Sequence, residues 1–143
     1  MLKGVFILNI LIIDAQGGGI GKQIISSIKK SYPSVTITAV GTNSSATANM
    51  LKAGADHAAT GENAVIVGCR KADVIIGPVG IVIADSLFGE VTPKMAAAVG
   101  QSTAKRLLIP INQCDNIVLG ITSISIPDMI AHILAYLNTE INH

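Results

Sequence analysis

Residues 13–22 read Ile13-Asp14-Ala15-Gln16-Gly17-Gly18-Gly19-Ile20-Gly21-Lys22, and what flanks this stretch decides the fold. Before it, Phe6 to Ile13 is almost wholly apolar, the pattern of a strand buried on both faces. After it, Ile20, Ile24, Ile25 and Ile28 recur at helical spacing, with Lys22, Lys29 and Lys30 on other faces. A glycine loop from Gln16 to Gly21 therefore joins a strand to a helix. Glycines there allow a sharp turn and the close approach of a ligand. The helix that follows offers unpaired N–H groups and about half a positive charge, which suits a phosphate. A tight turn that binds nothing is the competing reading.

Further along, Tyr32-Pro33 ends the first helix, because proline pushes the residue before it out of helical backbone. Val35 to Val40 reads as the second strand. Ser44 or Ser45 can cap a helix running through Ala53, with Gly54 at its left-handed end. His57 to Ala59 is a short third strand. Glu62 to Lys71 has a β-like Val65-Ile66-Val67 core, but Val65, Cys69 and Ala72 share a helical face, and the alternation of elements favours a helix. Val74 to Gly77 is a strand, and Gly80 to Phe88 is expected to be a helix ended by Gly89. Thr92-Pro93 starts another helix, a capping hydroxyl followed by proline, that runs to about Lys105. Leu107 to Ile111 is a strand and Val118 to Thr122 an expected edge strand. Ser125 with Asp128 resembles a capping box, and Ile130, Ile133, Leu134, Leu137 and Ile141 form the buried stripe of the last helix.

Apolar strands alternating with helices predict a parallel sheet covered on both faces. The fold class is α/β: a three-layer, doubly wound, mostly parallel Rossmann-like sheet of five to six strands. Right-handed crossovers give the order 3-2-1-4-5.

Composition narrows the function classes. The chain has 143 residues, which predicts one domain. Half are hydrophobic and 13% are charged, against about 25% charged in an ordinary domain, which excludes a disordered chain, a charged tail or a coiled coil. A net charge of +1 argues against nucleic acid as partner. Cys69 and Cys114 form no CxxC, so reduced thiols and a cytoplasmic location are expected. Lys3 followed by Val5 to Ile13 superficially resembles a signal peptide. Asn9 interrupts the run, Asp14 closes it, and no A-x-A-like site follows. It is also short of the about 20 residues a bilayer span needs, so no membrane association is expected. So few charges leave a surface poor in solvated groups, which predicts a homodimer.

The loop fits no single standard motif. The dinucleotide pattern G-x-G-x-x-G runs from Gly17 through Gly19 but ends on Lys22. The short-chain dehydrogenase pattern finds Gly19 and Gly21 but has Ala15 where its first glycine belongs, and the Tyr-x-x-x-Lys pair is absent. The nucleotide-hydrolase phosphate loop would need glycine at Gln16 and a hydroxyl at Gln23. Gly18-Gly19-Ile20-Gly21-Lys22 is similar to part of the variant phosphate loop of the cell-division ATPases, again without the magnesium-binding hydroxyl and with Gly17 in place of the extra lysine. After the second strand an NAD site often carries an acid; here Gly41-Thr42-Asn43 stands instead. Thr42 or Asn43 could bond a ribose, and no arginine is near for a 2′-phosphate. Ile81-Val82-Ile83-Ala84-Asp85 resembles the run that holds magnesium in hydrolases, though it reads equally well as helix.

Several segments taken together resemble one family. They are Asp14 to Lys22, Val40-Gly41-Thr42-Asn43, Ala53-Gly54-Ala55-Asp56, Ala59-Thr60-Gly61-Glu62-Asn63-Ala64 and Ala72-Asp73-Val74-Ile75-Ile76-Gly77-Pro78. Ile83-Ala84-Asp85-Ser86-Leu87, Gly89-Glu90-Val91-Thr92-Pro93 and Leu108-Ile109-Pro110 complete the set. In this order, over roughly residues 9 to 122, the chain resembles an uncharacterised bacterial family of small Rossmann-like proteins, a domain of unknown function. The family pattern has glycine where this chain has Ala15. The resemblance implies a cytoplasmic Rossmann-like domain and supplies no activity.

In an open α/β sheet the ligand lies beyond the carboxyl ends of the strands. Those ends should carry Asp14 to Gly21, Gly41 to Asn43, Gly61 to Asn63, Gly77 to Gly80 and Asn112 to Cys114. The expected ligand-binding residues are Asp14, Gln16, Gly17, Gly18, Gly19, Ile20, Gly21, Lys22, Thr42, Asn43, Gly77 and Pro78. Asp14 could hold the loop open or simply cap the turn. Lys22 could meet a phosphate or be a solvated helix lysine. Glu62 and Asn63 could line the pocket or start a helix. Asp85 and Glu90 are the candidate carboxylates for acid-base work, with capping or surface roles as their plain alternatives. His57, His132 and His143 show no ligand spacing with the cysteines, so no metal is expected; Cys69 reads as core. The sequence predicts a protein that binds a small phosphorylated ligand, nucleotide or dinucleotide, with NAD(P) or another adenine nucleotide as the class of cofactor, acting as a sensor or accessory module. The alternative is a small enzyme acting on a phosphorylated or nucleotide substrate, with Asp85 or Glu90 as acid-base.

Overall fold

A computed structural model describes residues 7–111, 115–121 and 125–142. Branched apolar side chains make the central strand, β1 (Asn9–Asp14), and its neighbour β4 (Val74–Pro78), which are buried along almost their whole length. β2 (Thr36–Gly41) and β3 (His57–Thr60) extend the sheet on one side and β5 (Lys105–Ile109) on the other. All neighbours pair in parallel, in the order β3-β2-β1-β4-β5. The alternation of elements along the sequence predicts this order.

Among the described residues the α-helices are α1 (Gly19–Ser31), α2 (Ser44–Lys52), α3 (Glu62–Lys71), α4 (Pro93–Gln101) and α5 (Ile126–Ile141). Side chains alternate across the sheet, so its inner strands feed two cores. Ile10 and Ile12 face Ile24, Ile25 and Ile28 of α1, Met50 of α2, and Ile133 and Leu137 of α5. Leu11, Ile13 and Ile75 face Val65 and Cys69 of α3 and Met95 and Val99 of α4. The result is an α/β sandwich of three layers. The order reverses between β1 and β4, which makes their carboxyl ends the switch point of the sheet.

Five details correct the expectations. Residues 80–88 do not form an α-helix. A 3₁₀ turn at Val79–Val82 is followed by a loop in which Asp85, Leu87 and Phe88 have left-handed φ values of 63°, 55° and 59°. Burial of Ile81 and Leu87 in the α3/α4 core and the Asp85 N–H bond to the Val91 carbonyl hold that loop against its helical tendency. The cap of α2 is Asn43, whose Oδ1 accepts from the Ala46 amide at 2.9 Å. α4 stops at Gln101 because Ser102 is extended and Arg106 donates to its carbonyl at 2.6 Å, which lets β5 start at Lys105. β5 accordingly ends at Ile109, two residues before the expected limit. Residues 118–121 form no strand, and Thr122 lies outside the described residues, as do Phe6, Asn112 to Cys114 and His143. Among the described residues no helix is long and apolar enough to cross a membrane.

Candidate functional site

The turn from β1 into α1 is built around Asp14, the last residue of β1 and only 6% exposed. Its Oδ1 accepts from the Ala15 amide at 2.8 Å and its Oδ2 from the Gly21 amide at 2.7 Å. Burial raises its carboxyl above the ordinary range. The Gly21, Ala15 and Ile20 amides oppose that rise without cancelling it, and the nearby Glu90 charge adds to it. Both sequence readings of Asp14, loop support and local cap, describe this one arrangement.

The loop glycines divide into two kinds. Gly18 has φ +70°, and a Cβ there would stand 2.8 Å from the Ala46 carbonyl oxygen of α2. At Gly21 a Cβ would meet Met50 at 2.5 Å. The fold itself therefore demands glycine at position 18, where the backbone of α2 packs on the loop, whereas a side chain at position 21 would require Met50 to shift. At Gly17 and Gly19 a Cβ would meet nothing within 4 Å, and neither position needs left-handed backbone. Their amides have no hydrogen-bond partner among the described residues, whereas the Gly18 amide donates to Ala15 and the Lys22 amide to Gly18. The N-cap residue of α1, Gly18, supplies no side-chain bond, and the Gly21 amide of the first turn is taken by Asp14.

Glu90 ties the loop to the end of β2. Its Oε1 accepts from Thr42 Oγ1 at 2.6 Å, from Asn43 Nδ2 at 2.7 Å and from the Gln16 amide at 3.2 Å. Burial works against its charge, but the bonds from Thr42, Asn43 and Gln16 outweigh it and hold the carboxyl below its ordinary range. Gln16 is itself left-handed at φ 53°, and Asn43 Nδ2 grips its carbonyl at 2.9 Å, so both sides of a disfavoured residue are pinned. Leu87 and Val91 are buried beside Ile13 and Ala15. The loop after β4 thus reaches over the end of β1 to the end of β2.

The structure brings together Asp14, residues 16–22, Thr42, Asn43 and Glu90. Gly77 abuts β1, where a Cβ would stand 2.5 Å from the Ile13 carbonyl oxygen, while Pro78 is buried within β4. Lys22 is exposed on α1. Asp85 is exposed and bonds to Val91 only through its backbone. Glu62 accepts from Thr92 Oγ1 at 2.6 Å and so joins the starts of α3 and α4. Sequence reasoning missed Asn49, whose Nδ2 donates to the Gly17 carbonyl at 2.7 Å; an asparagine in mid-helix carries no signal of a partner 32 residues away. A separate recess of about 450 Å³, lined by Thr38, His57, Val67 and Lys71 among others, opens between the sheet and α3. Among the described residues no group of three or more His, Cys, Asp or Glu is placed to hold a metal ion.

Fold and loop together define a doubly wound α/β protein with a glycine turn at the edge of its switch point. Residues 9–142 match the family described as Domain of unknown function (DUF3842), and the chain belongs to that family. No curated protein matches it.

Proposed function

We propose that this protein binds a nucleotide, dinucleotide or other phosphorylated ligand at the start of α1, as a cytoplasmic sensor or accessory module. The observation that carries the reading is the pair of glycines the fold does not use. Gly17 and Gly19 have open space where a side chain would go and, among the described residues, amides without partners. Those are the properties an anion needs from a backbone it must touch. The reversal of strand order between β1 and β4 puts this turn where doubly wound sheets hold their ligands.

Binding is favoured over acid-base chemistry, because Glu90 is engaged by three donors and held ionised. A homodimer is supported by the exposure of Phe88 (94%), Ile117 (84%) and Leu119 (88%). The test is a thermal-shift screen across NAD, NADP, ATP, GTP, flavins and sugar phosphates. A ligand at a hundred times its Kd stabilises by about 2.7 kcal/mol. No shift with any of them overturns the reading.

A further inference from the structure

The recess between the sheet and α3 shares no residue with the glycine turn. It holds about 450 Å³, within the range of small-molecule sites, about 300–1,000 Å³. Its origin is the packing of α3. At Gly68 the helix meets Leu11 of β1 so closely that a Cβ would stand 3.0 Å from that side chain. Beyond this contact the same face of the sheet runs on over β2 and β3. Side chains alternate along a strand. Ile37 and Ala39 lie in the core with α1 and α2, and Thr60 bonds Thr47 of α2. Thr36, Thr38, His57 and Ala59 therefore turn to the α3 side, and all four remain at least partly exposed.

The register sorts this recess by polarity. Asn9 pairs with Thr36, Thr38 with His57, and Val40 with Ala59. α3 leaves the carboxyl end of β3 and returns to the amino end of β4, which sets Ala64 high and Lys71 low. Asn9, Thr36 and Lys71 thus meet at the amino end of the recess. Val40, Ala59 and Ala64 meet at the carboxyl end, about 13 Å away. Lys71 Nζ, Asn9 Nδ2 and Thr36 Oγ1 have no partner among the described residues. No Asp or Glu is among the described residues that line the recess. Asp73, the acid nearest to Lys71 in the chain, holds the Asn9 amide through Oδ2 at 2.9 Å.

One end of the recess therefore offers donors and a full positive charge, and the other offers hydrocarbon. Its complement is a molecule with an anionic head and an apolar body. A second copy is the poorer fit, because a two-fold contact through this face would set Lys71 and His57 against their own kind. We propose that the recess is a binding site for a small amphipathic carboxylate. The head lies on Lys71, Asn9 and Thr36, and the hydrocarbon body lies along Val40, Ala59 and Val67. This site is independent of the nucleotide reading above.

The probes are octanoate and octylamine, titrated below micelle-forming concentrations into the isotope-labelled full chain and followed by NMR of its amides. Octanoate is expected to shift Thr38, Ala59, Ala64 and Val67 saturably and to leave Gly17 and Gly19 in place. Octylamine is expected to bind roughly tenfold more weakly, and Lys71→Glu to reverse that order. Val67→Trp fills the recess from α3 and is expected to abolish octanoate binding. Should it fail to fold, Lys71→Glu, a change at the exposed end of α3, still decides. Octanoate that moves no amide of the recess, or that binds Lys71→Glu as it binds wild type, overturns the proposal. So does a wild-type dimer that Val67→Trp splits into monomers in sedimentation, which would make a second copy the occupant.

Discussion

The Gly21 amide donates to Asp14 Oδ2 at 2.7 Å, so the first turn of α1 is closed from below by a buried carboxylate of the preceding strand. Burial raises that carboxyl above its ordinary value of 3.8. For an acid the sign follows directly: its contribution to stability is greatest below pH 3.8 and declines as pH rises through the raised native value. Asp14→Asn removes the titration but keeps only one acceptor oxygen, so its NH2 faces either the Ala15 or the Gly21 amide and it should lose about 1 kcal/mol. It should also lack this pH-dependent decline. Asp14→Ala leaves the Ala15 and Gly21 amides buried without an acceptor and should lose about 1–3 kcal/mol. Urea unfolding at pH 4 and pH 7 measures both. Equal losses in the two variants would contradict the assignment.

The loop glycines give a paired test. Gly18→Ala puts a side chain into left-handed backbone, which costs about 1–2 kcal/mol. The side chain also presses on the Ala46 backbone, so the total loss should exceed 2 kcal/mol. Gly19→Ala meets open space at the first position of α1 and should stabilise the free protein by up to about 1 kcal/mol. If the open amides hold an anion, the same substitution should weaken ligand binding at least tenfold. A Gly19→Ala protein that binds as wild type does would mean that the ligand lies elsewhere.

Much of this was legible in the sequence because it is local or periodic. The alternation of apolar strands with helices carries the parallel sheet, and the run through Ile13 into Gly17 places the turn. Where reading failed, distant contacts decided. Residues 80–88 have apolar content suited to a helix. The left-handed φ values of Asp85, Leu87 and Phe88 come from tertiary packing, which sequence does not announce at non-glycine positions. Three capping residues follow one another at Asn43, Ser44 and Ser45, and only the contact with Gln16 and Glu90 selects the first. Glu90 was legible as a carboxylate of interest, but its partner Thr42 is 48 residues away.

Cys69 provides a check on the α3/α4 core. It is buried, and burial pushes its thiol up to about 11. Thiolate is the reactive form, so in a Cys114→Ser background an aromatic disulfide reagent at pH 8 should label Cys69 only as fast as the protein opens. Urea above the unfolding midpoint should restore the rate of a free thiol. Rapid labelling of the native protein would show that this helix pair is looser than the packing of Cys69, Val65 and Val99 implies.

Asn43 joins three parts of the site, and its variants separate their contributions. Its Oδ1 caps α2, and its Nδ2 donates to the Gln16 carbonyl and to Glu90. Asn43→Ala loses the cap, about 1 kcal/mol, and both tethers. Asn43→Asp keeps the cap but sets an acceptor against the Gln16 carbonyl and a like charge against Glu90. In wild type the bonds to Glu90 hold its carboxyl below 4.5, so their stabilisation is present above that pH and is lost as pH falls through the lowered native value. In Asn43→Asp the sign reverses. Two facing carboxylates raise each other's values, so the variant should be least stable at pH 7 and recover relative to wild type as the pH falls through 5 to 4. Melting temperatures measured from pH 7 to pH 4 test this. A constant difference between Asn43→Asp and wild type across that range would show that Glu90 does not face Asn43 in solution, and the tie between the glycine loop and the end of β2 would have to be abandoned.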